Sequence, residues 1–240
     1  MLRETRMRNS SDVVDGFRMR GGEVTRLESF ADAIFAFALT LLIVSLEVPK
    51  SFADLINTMR GFPAFAVCFL MLATIWNTHY KFSRRFGLDD ATTRFLTCTL
   101  LFIVLFYVYP LKFLFTLGID DMIFGGSDTG LRISHRELST LYSIYGFGFA
   151  GIYLAFTLLY LHAWRLSDTL DLSGIEKLET RYSICRVFTV SIFGLIAAVL
   201  ARTPWFPSWG GLIYFLLIPI LRGFSMVHRR QRAALLSAQE

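Results

Sequence analysis

RLESFADAIFAFALTLLIVSLEV, residues 26–48, joins a long apolar run to an ionisable group just inside its leading end. A run of this length suits a helix that crosses the hydrocarbon of a bilayer. At about 100° per residue, Phe30, Ile34, Phe37, Leu41, Val44 and Val48 share one stripe, flanked by Ala33 and Thr40, with Asp32 on the opposite side. One face is therefore bulky and apolar. The other carries a carboxylate that must find a partner within the same bundle, because an unpaired charge in hydrocarbon is costly.

The rest of the chain has the same character. Of the 240 residues 54% are hydrophobic, and the mean hydropathy is +0.52. The apolar residues fall in long runs without strict alternation, which excludes a soluble domain and a transmembrane barrel. The fold class is an all-α integral membrane protein. Six spans are predicted, at 31–48, 62–80, 95–117, 139–164, 183–201 and 204–224. Residues 1–25 read as a basic, mobile cytoplasmic arm, 26–226 as the membrane domain and 227–240 as a basic cytoplasmic tail. The basic stretch ahead of the first run is too long for a signal peptide, so that span is expected to stay.

Between the spans, 49–61 reads as a short connection, 118–137 as a turn-rich loop, and 165–181 as a polar stretch with a short surface helix. Asp89-Asp90 suits a helix cap and Pro110 a kink. Most of the 24 basic residues gather on one side if the N-terminus is cytoplasmic, which places both termini there. The net charge of +5 has the same origin, so it is no nucleic-acid footprint. Cys68, Cys98 and Cys185 lie inside apolar runs and offer neither a disulfide framework nor metal spacing.

Three groups of residues could carry function. Asp32 and His79 are expected at similar depth near the inner interface, with Trp76 sharing the face of His79. They form either a titratable latch on a moving helix or a satisfied pair that fixes packing, with Arg26 or Arg94 supplying the cation. The Phe37, Leu41 and Val44 stripe is either ordinary helix packing or, in an assembly around a common axis, a stack of apolar rings that gates by dewetting. Glu47, near the outer end, is either solvated or a local attractor of cations.

Tyr145-Gly146-Phe147-Gly148 lies within a continuous apolar span, so it is no carbonyl filter. Gly146-x-x-x-Ala150 and Gly151-x-x-x-Ala155 instead allow close helix approach. His135, His162 and His228 have interface or solvent roles as their default. No enzyme signature, cofactor motif or metal-ligand spacing is present in the sequence.

Arg26-x-x-x-Phe30-Ala31-Asp32 resembles the Arg-x-x-x-Phe-Ser-Asp signature that opens the first span of the transmembrane protein 175 family, potassium-permeable channels of endolysosomes with six-span prokaryotic relatives. Trp76 and His79 are similar to a tryptophan and histidine near the end of that family's second span. Ala31 departs from the usual serine and lacks its hydroxyl. The resemblance implies a homotetramer in the lipid of the cell membrane, without cofactor or carbonyl filter, whose first helix lines a path for K+. It implies further that Phe37 forms the constriction, that Leu41 and Val44 form apolar layers beyond it, and that Thr40 contributes to ion preference. Arg26, Phe30, Asp32, Trp76 and His79 would anchor the moving helix. Phenylalanine is larger than the family's usual isoleucine or leucine, so four rings could close the path or move the selective layer. A second reading is a proton-coupled transporter in which Asp32 and His79 exchange protons. A third is a membrane scaffold that conducts nothing.

Overall fold

The computed structural model describes residues 13–14, 17–44, 50–124, 134–203, 214 and 216–237. A two-residue hairpin pairs β1 (Val13–Val14) with β2 (Phe17–Arg18). Seven helices follow among the described residues: α1 (Arg26–Val44), α2 (Phe52–Arg60), α3 (Phe62–Phe86), α4 (Ala91–Phe124), α5 (His135–Arg165), α6 (Gly174–Leu200) and α7 (Leu217–Ser237). Four segments among the described residues are long and apolar enough to cross a membrane: Phe62–Phe86, Ala91–Gly118, His135–Arg165 and Gly174–Leu200. They correspond to the second to fifth expected spans. The first and sixth run partly through 45–48 and 204–213, outside the described residues, as do Glu47, Val48 and the side chain of Val44.

Local chemistry sets the helix ends, and several lie beyond the apolar runs. Gly87 ends α3 with φ of 59°, and its N–H donates to the Ser83 carbonyl. Asp90 then caps α4, accepting from the Thr92 N–H and the Thr93 hydroxyl, as the aspartate pair suggested. The expected loop after residue 117 starts later, since α4 runs on through Pro110 and Gly118 to Phe124. Gly118 takes up no left-handed φ and the helix passes through it; among the described glycines only Gly87 has one. The connection 49–61 is not bare either: Ser51 caps α2 by accepting from the Asp54 N–H at 3.1 Å. Helix α6 begins at Gly174, well before the expected 183, on a reciprocal cap between Ser173 and Glu176.

Helices α5 and α6 pack backbone to backbone. A Cβ on Gly146 would fall 2.8 Å from the Gly194 carbonyl oxygen, and one on Gly194 would fall 2.9 Å from the Ala150 nitrogen. Two hydroxyls stitch the same seam. Ser143 Oγ donates to the Ala198 carbonyl at 3.1 Å, and Ser191 Oγ to the Ala150 carbonyl at 2.9 Å. The Tyr-Gly-Phe-Gly stretch is thus helix packing. Gly151 differs, since its Cβ would meet only Ile103, 3.6 Å away.

The N-terminal segment departs from the mobile arm read in the sequence. Phe17 is buried edge-on against Phe86, with the Arg85 guanidinium 5.0 Å from its ring centre. The Gly21 N–H donates to the Arg84 carbonyl at 3.0 Å, and a Cβ there would stand 2.6 Å from Ser83 O. Glu176 accepts from the Arg18 N–H at 2.8 Å, from Arg20 Nη1 and Nη2 at 2.9 Å each, and from the Ser173 N–H at 2.8 Å. Residues 17–21 are a strap across the end of α3 and the start of α6. An acid so far along the chain is invisible to a local reading of the arm.

Candidate pore helix and its anchor

Helix α1 packs against α3 and α4 through Glu28, Ala31, Phe35, Ala38 and Leu42, all buried. Their spacing alternates between three and four residues, the seam of a helix that keeps one face on its neighbours. The opposite face is open in the subunit: Phe30 is 51% exposed, Phe37 is 55% exposed, and Ala33 and Thr40 are exposed between and beyond them. The open face is turned about a fifth of a turn from the stripe marked out by hydropathy. Ile34 and Leu41 consequently pack partly against the core, while Ala33 and Thr40 move to its middle. The Thr40 hydroxyl donates to the Ala36 carbonyl at 2.9 Å, so its lone pairs remain able to accept.

Asp32 meets Trp76 where the depth of the two spans had paired it with His79: Trp76 Nε1 donates to Asp32 Oδ1 at 2.8 Å, and the indole stacks on Tyr80. His79 does not join them. It is buried against Phe35, ring centres 6.2 Å apart, and its Nδ1 has no hydrogen-bond partner among the described residues. Arg26 and Phe30 are exposed on the open side of α1. Within one subunit, α1 is therefore tied to α3 by an indole and a carboxylate. Trp76→Phe keeps the ring and removes one charge-assisted bond, so a loss of about 1.5–3 kcal/mol is expected. Thermal melting of the purified protein checks it, and an unshifted transition would remove the bond from the anchor.

Two further ties were not anticipated. Lys112 Nζ donates to the Leu42 carbonyl at 2.9 Å, fixing the last described turn of α1 to α4. Its signal was a lysine inside an otherwise apolar run. His162 Nε2 lies 2.9 Å from Asp90 Oδ2, which joins α5 to the cap of α4. Burial pushes the Asp90 carboxyl up, but the Thr93 hydroxyl and His162 outweigh it and hold the group below the usual aspartate range. His228 stacks on Tyr182 at 4.2 Å and stands 3.2 Å from Glu179 Oε1, so it is packed where an interface or solvent role was the default.

Comparison with known proteins gives one consistent set of relatives. Residues 26–110 match the family described as endosomal/lysosomal potassium channel TMEM175. A potassium channel of Marivirga tractuosa is 37% identical over 231 residues, covering 92% of this chain and 94% of its own. The crystal structure of a threonine-to-alanine variant of the potassium channel MtTMEM175, in complex with a nanobody-MBP fusion protein, superposes with a TM-score of 0.80. It is 36% identical and covers 90% of this chain and 98% of its own. A lysosomal potassium-selective channel TMEM175 homolog from Chamaesiphon minutus, 21% identical, shares the fold with a TM-score of 0.55, covering 85% of this chain and 96% of its own.

Proposed function

This chain belongs to the TMEM175 family of potassium channels, and from that premise we propose that K+ crosses the membrane along a path lined by α1 in a homotetramer. The observation that carries the reading is the open face of α1. Phe30, Ala33, Phe37 and Thr40 recur at heptad spacing and are left uncovered by their own subunit. Four copies around an axis bury that face against one another and against the ion path. Phe37 forms the constriction, an apolar ring that lets water through only when it widens. Thr40, one turn further along, offers hydroxyl lone pairs to a partly stripped ion, and Leu41 and Val44 supply the apolar layers beyond.

The anchor works from the side of this path. Asp32 and Trp76 hold α1 to α3, His79 fills the core behind them, and Arg26 and Phe30 complete the group against a neighbouring copy. Each subunit crosses the membrane six times, selects without a carbonyl filter and needs no cofactor. The protein resides in the cell membrane with both termini cytoplasmic, as its basic residues favour.

Reversal potentials of the purified channel in planar bilayers, under opposed potassium and sodium gradients, test the constriction. The wild type is expected to shift toward the potassium equilibrium potential, and Phe37→Ala to carry larger currents with a smaller shift. Currents and reversal potential unchanged by Phe37→Ala would remove this side chain from the ion path.

A further inference from the structure

A small cavity of about 10 Å³, room for one water-sized sphere, lies where the start of α1 meets the end of α3 and the start of α4. Its polar lining includes Glu28, Thr25, Ser83, Thr93 and Thr97. Glu28 is 4% exposed, Thr93 2% and Thr97 not at all. Thr97 Oγ1 has no hydrogen-bond partner among the described residues. The Thr93 hydroxyl already spends its proton on Asp90, so it can offer the cavity only lone pairs. Thr25 Oγ1 accepts from the Glu28 N–H at 3.1 Å. No cation among the described residues stands within ion-pair distance of the Glu28 carboxylate, and Arg84 acts on it only from farther away. A buried hydroxyl without a partner is costly unless something answers it, and the carboxylate beside it brings the only formal charge among the side chains of the lining.

We propose that this cavity binds one desolvated, potassium-sized monovalent cation. The polar side chains of the lining carry oxygen alone, and carboxylate and hydroxyl oxygens suit a hard cation. A single carboxylate matches a single positive charge. The volume suits a single ion about as large as a water molecule. Glu28 lies on the buried face of α1, away from Phe37 and Thr40, so the site is separate from the ion path. It joins three helices at the root of the pore helix, and its occupancy makes the packing of α1 depend on the cation present.

Crystals of the full-length channel with thallium(I) nitrate in place of potassium salts provide the test, since thallium mimics potassium and scatters anomalously. An anomalous peak is expected between Glu28, Thr93 and Thr97 in every subunit, and its loss in Glu28→Gln. A peak on the channel axis without one at Glu28 overturns the site and leaves the pore reading standing; the reverse pattern does the opposite. In solution, the wild type should melt several degrees higher in potassium than in N-methyl-D-glucamine chloride, and Thr97→Val, which keeps the shape, should lose most of that difference. A potassium effect as large in both Glu28→Gln and Thr97→Val as in the wild type overturns the proposal.

Discussion

Glu176→Ala is expected to lower the melting temperature of the purified channel by on the order of 10 °C, from a loss of about 3–5 kcal/mol. The size follows from burial. Glu176 is 2% exposed and takes four hydrogen bonds, two of them from the forked guanidinium of Arg20. Removing the acid leaves that guanidinium, itself mostly buried, without its counter-charge, and takes away the half of the α6 capping box in which the Ser173 N–H donates to the acid. The double variant Arg20→Ala, Glu176→Ala should therefore be less damaged than the sum of the two single variants. A Glu176→Ala transition within two degrees or so of wild type would mean that the strap is not held as described.

Gly194→Val should have an effect at least as large and should yield little monodisperse protein. The added Cβ alone would come within 2.9 Å of a backbone nitrogen on α5. Backbone cannot rotate away as a side chain can, so the two helices must part. Both interhelical serine bonds lie on this seam and weaken with it. Overpacking of this kind costs about 1–3 kcal/mol where a core can yield, and a small-residue seam yields less. Gly151→Ala is the control: on the neighbouring stretch of α5 its new methyl meets Ile103 at ordinary contact distance, and near-normal expression is expected. Equal size-exclusion profiles for Gly194→Val and wild type would refute the seam.

What the chain reveals without its structure divides by distance along it. Helix ends were legible where a cap acts over three residues, as with Asp90; Ser173 and Glu176 carry the same local signal, masked by the polar residues that follow them. That Asp32 lies level with the end of α3 followed from two antiparallel helices of known depth, but the partner it finds there is Trp76 in place of His79. The orientation of α1 was only half legible. Hydropathy weighs Phe37 and Leu41 heavily and Ala31 and Ala38 lightly, yet it is the alanines that allow α1 to sit close against its neighbours. The strap was not legible at all. Its residues are polar on average, and nothing local pairs Arg20 with a glutamate 156 positions later.

That separation has a consequence for synthesis. The chain emerges from its N-terminus onward, so the arginines of the strap are made long before the acid that receives them. While α1 to α5 are being made, residues 17–21 have no Glu176 to close upon, and closure is necessarily a late event in biogenesis. A nascent chain halted before α6 would carry an open strap that a protease could cut, whereas one released after α6 would be protected there.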